Sequence, residues 1–122
     1  MGNVHFTSAK RSEADTKVTV YHPSGALNGH PDCFAWLEEV RGDIREGGRH
    51  IVLNLRDVTR IDSTGVGILA SIHVSTVSAG GKLCLTGLND KQRQLLEATW
   101  LLKVIASAED EAQAIQACTA GG

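Results

Sequence analysis

The run His50-Ile51-Val52-Leu53-Asn54-Leu55 places apolar side chains at consecutive positions with no alternation. A strand that buries one face alternates, and one that does not is covered on both. Helical segments flank the run on either side, so the chain is set up for a sheet with helices packed against it. At 122 residues, with 42% hydrophobic and 21% charged positions, it has the length for one domain around one core. Aromatics are only 4%, so Leu, Ile, Val and Ala must build most of the interior.

Taken in order, residues 1–16 are mixed polar and read as a loose arm or a first edge strand, residues 17–118 as one domain and 119–122 as a frayed tail. Val18-Thr19-Val20-Tyr21 is a strand, Pro23-Ser24-Gly25 is turn chemistry and Ala26-Leu27 opens a second strand, which together predict a hairpin. Asn28 to Asp32 form a loop and a helix start with Pro31 at the first position. Phe34, Leu37, Val40 and Ile44 then mark an inward stripe, with Trp36 at its margin. Gly47-Gly48 stops this helix.

After the His50–Leu55 strand, Arg56 to Arg60 read as a polar link. A second helix starts around Val66, with a wide stripe formed by Leu69, Ala70, His73 and Val77 and flanked by Ile68, Ile72, Ser75 and Ala79. Lys82 to Gly87 give another strand, and Asn89 with Gln92 makes a capping box. Leu101 to Ile105 read as a last short strand, and Ser107 caps a helix with Ala108, Ala112 and Ile115 inward. The resulting β-β-α-β-α-β-α-β-α order predicts an α/β fold: a mixed, mainly parallel sheet with crossover helices. Ligands and partners meet such sheets at the carboxyl ends of the strands. Those ends carry Asn28 and Gly29, Asp57, the Asp62, Thr64, Gly65 and Val66 turn, and Thr86 and Gly87.

A formal charge of -2 argues against nucleic acid or an anionic membrane as partner. Cys33, Cys84 and Cys118 are widely spaced and without a C-x-x-C pair, which suits reduced thiols in a cytoplasmic protein. The Met1-to-Phe6 start has Phe6 where a myristoylation signal needs Ser or Thr. No signal peptide or membrane span is predicted. His73 has no ligand-forming neighbour at helical spacing, so no metal site is expected, nor any cofactor.

The chemistry concentrates in Arg60-Ile61-Asp62-Ser63-Thr64-Gly65-Val66-Gly67. At a helix amino end, free N–H groups and the dipole favour an anion. Two readings fit: Ser63 caps the helix beside a dipole-matching Asp62, or Ser63 accepts a phosphoryl group there, which leaves the fold intact and changes the surface. Enzyme look-alikes fail. An aspartic protease needs two Asp-Thr/Ser-Gly copies, a nucleophile elbow needs Gly at position 61, and Gly80-Gly81-Lys82 leads into a strand and not a P-loop helix. A flavin-type phosphate cradle belongs after the first strand.

The chain resembles the STAS domains (sulfate transporter and anti-sigma factor antagonist) from about Val18 to Ala117, in particular the stand-alone anti-sigma-factor antagonists. The resemblance is carried by Ile51–Leu55 followed by Ile61-Asp62-Ser63-Thr64-Gly65-Val66-Gly67-Ile68-Leu69, by Gly25-Ala26-Leu27-Asn28 and by Gly80 through Leu88. It implies a non-enzymatic protein that binds an anti-sigma factor, often a serine kinase. In the family that kinase phosphorylates the motif serine, which matches Ser63, and a phosphatase resets it; Thr64 is a second hydroxyl in the same turn and the second choice of acceptor. Asn28 and Asn54 stand where the family often has Asp. A constitutive scaffold, a transporter-associated module or a nucleotide-binding STAS domain are the alternative readings.

Overall fold

In a computed structural model of the protein, which describes residues 5–13 and 16–119, one sheet carries helices on both faces. The elements follow as β1 (Phe6–Glu13), β2 (Val18–Leu27), α1 (Pro31–Arg45), β3 (His50–Asn54), β4 (Asp57–Ile61), α2 (Ser63–Ser78), β5 (Leu83–Thr86), α3 (Asp90–Ala98), α4 (Leu101–Val104), β6 (Ala106–Ser107) and α5 (Glu111–Thr119). The start of the Met1-to-Phe6 segment and most of the 119–122 tail lie outside the described residues.

The sheet runs β1-β2-β3-β5-β6, with β4 also on β2. Among the described strands, β1–β2 alone is antiparallel. Strand β2 is long enough to serve two partners in succession. Its Val18–Tyr21 part pairs with β3 and its Ser24–Leu27 part with β4, so Ile61 ends beside Leu27. The expected mixed, mainly parallel sheet is therefore observed. The β3 run is covered on both faces: Ile51 and Leu53 face α1 and α2, while Val52 joins Val18, Val20 and Cys84 under Ala114 and Cys118 of α5.

Several local expectations are corrected. Pro23-Ser24-Gly25 is not a turn: the hairpin is β1–β2, and Pro23 lies in β2 between its two parallel registers, where a proline costs least. Arg56 to Arg60 is not a link, because Asp57–Ile61 forms β4, a polar strand with only Val58 fully buried. Its pairing comes from β2 and not from an apolar pattern of its own. Leu101 to Ile105 is a helical turn and not a strand. Leu101 and Ile105 are buried four residues apart, and Trp100 enters the turn in the left-handed region with φ 67°.

The helix faces shift as well. The α1 stripe starts at Cys33 and includes Trp36, 4% exposed, while Phe34 is 45% exposed. Trp36 packs against Phe6 of β1 and Tyr21 of β2 at ring separations of 5.3 and 6.4 Å, so the sheet supplies aromatic contacts for this face of the helix. Helix α2 buries Gly65, Ile68, Leu69, Ile72 and Thr76 and leaves Val77 exposed, a narrower stripe than predicted. Asp110, not Ser107, caps α5 by accepting from the Gln113 N–H at 2.9 Å. That helix buries Ala114 and Cys118, and Ala112 is exposed. The Asn89–Gln92 capping box is present, and Gln92 Nε2 also donates to the Val58 carbonyl at 2.8 Å, tying α3 to β4.

Candidate functional site

Strand β4 delivers the chain to a tightly built corner. The Asp62 N–H donates to the Leu27 carbonyl at 3.3 Å, extending the β2–β4 pairing by one bond. Asp62 then turns out of the strand with extended backbone, and its Oδ1 accepts from the Gly65 N–H at 2.9 Å. The helix cap is therefore Asp62 and not Ser63, which corrects the capping reading. Ser63 becomes the first residue of α2. A short acidic side chain at this position satisfies one of the orphan N–H groups and matches the dipole.

Ser63 and Thr64 are both exposed, and neither hydroxyl makes a hydrogen bond among the described residues. Below them Gly65 is buried. A Cβ there would lie 2.3 Å from the Leu27 carbonyl oxygen and 2.9 Å from Ile61 Cγ2, so only glycine lets the helix start this close to β2. The Asn28–Gly29 loop passes over the turn, with the Gly29 Cβ position 3.8 Å from Thr64 Cγ2. Asn28 Oδ1 accepts from the His30 N–H and lies 3.0 Å from His5 Nε2, and the His5 and His30 rings stack at 4.1 Å. Asn28, Gly29, Asp62, Ser63, Thr64, Gly65 and Val66 thus share one corner of the molecule.

Asp57, Thr86 and Gly87 do not join them. They line an open groove of about 460 Å³ with His22, Asn54, Arg56, Glu109, Asp110 and Glu111. Asp57 pairs with Ser24 at the start of β4 and Ile61 with Leu27 at its end, about 13 Å apart at strand spacing. Gly87, at φ 76°, brings its backbone against Asn54 and Arg56: a Cβ there would lie 2.4 Å from Asn54 Oδ1.

Asn54 is 9% exposed. Its Oδ1 accepts from the Arg56 N–H at 3.1 Å and its Nδ2 donates to Glu111 Oε1 at 3.0 Å. An aspartate at this position would set a carboxylate against Glu111, whereas the asparagine amide donates to it. Arg11 and His22 also hold Glu111. Burial pushes the Glu111 carboxyl up, and the bonds from Asn54, His22 and Arg11 outweigh it, leaving the group below its ordinary value. Sequence reading missed His22, Arg56, Glu109, Asp110 and Glu111. Nothing local marks them, since His22 and Glu111 stand 89 residues apart.

No group of metal-binding side chains occurs among the described residues, and no described helix is long and apolar enough to cross a membrane. The three cysteines are buried free thiols. Burial raises the pKa of each, that of Cys118 to about 11.

Comparison with known proteins places this arrangement. The model of the STAS domain matches residues 9–114. An anti-sigma F factor antagonist from Paenibacillus polymyxa is 24% identical over 98 residues, 80% of this chain and 84% of that protein. Among solved structures, the Thermotoga maritima protein TM1081 superimposes with a TM-score of 0.81 at 22% identity, covering 91% of this chain and 93% of its own. The Bacillus cell fate determinant SpoIIAA in its phosphorylated form gives 0.64 at 19% identity, with 91% and 98% covered. With its motif turn at the end of β4 and its sheet matched across most of its length, the chain belongs to the STAS domain family.

Proposed function

We propose that the protein is a non-enzymatic anti-sigma-factor antagonist whose affinity for its partner is switched by phosphorylation of Ser63. The observation that carries this is the position of Ser63. Its hydroxyl is exposed and unpartnered among the described residues, on the first turn of a helix whose start is fixed by Asp62 and Gly65. A kinase can reach it without unfolding anything. The matched Paenibacillus polymyxa protein is itself an anti-sigma F factor antagonist, and SpoIIAA has been solved in both unphosphorylated and phosphorylated forms.

In this reading the unmodified protein binds an anti-sigma factor of the serine kinase type in the cytoplasm, over Ser63 and the Asn28–Gly29 loop. The kinase transfers a phosphoryl group from ATP to the Ser63 oxygen, the hydroxyl proton leaves, and ADP is released. The product carries about 1.5 to 2 further negative charges beside Asp62. A docked partner that cannot neutralise them loses complementarity, and ~2.7 kcal/mol corresponds to about a hundredfold in affinity. A phosphatase restores the free hydroxyl. Mass spectrometry after co-expression with the cognate kinase tests the assignment: phosphate should appear on wild type and Thr64→Ala and be absent from Ser63→Ala. Equal incorporation in Ser63→Ala removes Ser63 as the acceptor.

A further inference from the structure

The groove between the carboxyl ends of β3 and β5 and the start of α5 is not used by the Ser63 switch. Thr86 forms part of its lining, is 1% exposed, and its Oγ1 has no hydrogen-bond partner among the described residues. Two residues after Cys84 on β5, it points to the side covered by α5. A buried hydroxyl left open is costly, and the groups around it do not close it. Asn54 is engaged through both its amide oxygen and its amide nitrogen, by Arg56 N–H and Glu111.

The charge of the lining is uneven. Glu111 is held by Arg11 and His22. Asp57, Glu109 and Asp110 have no ion-pair partner among the described residues, against the single guanidinium of Arg56. The lining therefore combines excess negative charge with a floor hydroxyl free to accept.

We propose that this groove takes the guanidinium of an arginine side chain from a bound protein partner. A planar fork of donors offers one N–H to the Thr86 oxygen at the floor, once the side chain opens to it, and others to the rim carboxylates, whereas a lysine ammonium presents a single point. The occupant belongs to a partner because of position. The groove opens about 13 Å along β4 from the Ser63 end. A partner burying about 800 Å² of this protein covers a patch roughly 30 Å across. In that respect the inference rests on the proposed function, and it adds the chemistry of the contact.

The groove can be tested without the natural partner. In ¹H–¹⁵N spectra of the whole chain, N-acetyl-arginine amide should shift the Thr86, Gly87 and Asp110 amides saturably, with about tenfold higher affinity than N-acetyl-lysine amide. N-acetyl-glutamate amide should leave them in place. Thr86→Val keeps the side-chain shape, and Asp110→Asn keeps an oxygen to cap α5. Each should fold and weaken arginine binding by about fivefold or more, a difference of about 1 kcal/mol. Absence of a saturable shift, equal affinity in Thr86→Val, or no preference for arginine over lysine overturns the proposal. The two readings separate cleanly: arginine binding with unaltered phosphorylation of Ser63→Ala keeps the groove and removes the switch, and the converse keeps the switch and removes the groove.

Discussion

Gly65 and Gly67 look alike in the sequence, two residues apart in one motif, yet they do different physical jobs. A methyl at 65 runs into the Leu27 carbonyl, which is backbone and cannot move aside, whereas a methyl at 67 meets nothing within 4 Å. Gly65→Ala should therefore destabilise by about 1–3 kcal/mol through overpacking. Gly67→Ala should be neutral or stabilise by up to about 1 kcal/mol through helix propensity. Urea unfolding of the two variants checks this, and equal effects would mean that the corner is looser than the geometry indicates. The motif was legible as helix-start chemistry because Asp, Ser, Thr and Gly each carry a local preference. Which of them caps, and which glycine is obligatory, depends on Leu27, 38 residues earlier, and no local pattern encodes that contact.

Among the elements, α5 adds a polar anchor at its first position to the packing of Ala114 and Cys118. Glu111 at its first position reaches Asn54 on β3, His22 on β2 and Arg11 on β1. These bonds depress its pKa in the folded state relative to the ordinary 4.5 despite the opposing effect of burial. As pH falls the unfolded chain takes up this proton first, so the stabilisation is present above about pH 4.5 and is lost as pH falls through the lower folded value. Glu111→Gln should be less stable than wild type at neutral pH. The gap should stay constant down to that range and then close on further acidification, as read from urea midpoints at successive pH values. A gap that persists unchanged to the acid limit would show that the carboxylate's charge is not what holds α5. The sequence contains all four residues of this hub, but they come from four elements, so only the assembled sheet reveals them.

Across the whole molecule, the alternation of strand and helix was readable because consecutive apolar residues and helical spacing are local signals. β4 and α4 escaped because each takes its conformation from a neighbour: β4 from pairing with β2, α4 from the turn at Trp100 between two buried anchors. Pro23 misled for the same reason, since a long strand that changes partners midway can hold a proline at the changeover. This division of labour also bears on how the proposed switch would act. Ser63 is exposed and its hydroxyl caps nothing among the described residues, while the residues that fix the corner are Asp62, Gly65 and Leu27. A negative charge at 63 is favoured by the α2 dipole and opposed by Asp62, two effects of similar size at an exposed helix end. Ser63→Glu should therefore shift the thermal midpoint by less than about 4 °C, the change that ~1 kcal/mol produces in a domain of this size. Its urea m-value should be unchanged, while affinity for the proposed anti-sigma-factor partner should fall about a hundredfold. A lowered m-value or a midpoint shift well beyond that limit would place the switch in the fold itself. Stability retained together with affinity lost would place the proposed switch on the surface, where the proposed partner reads one added charge beside Asp62.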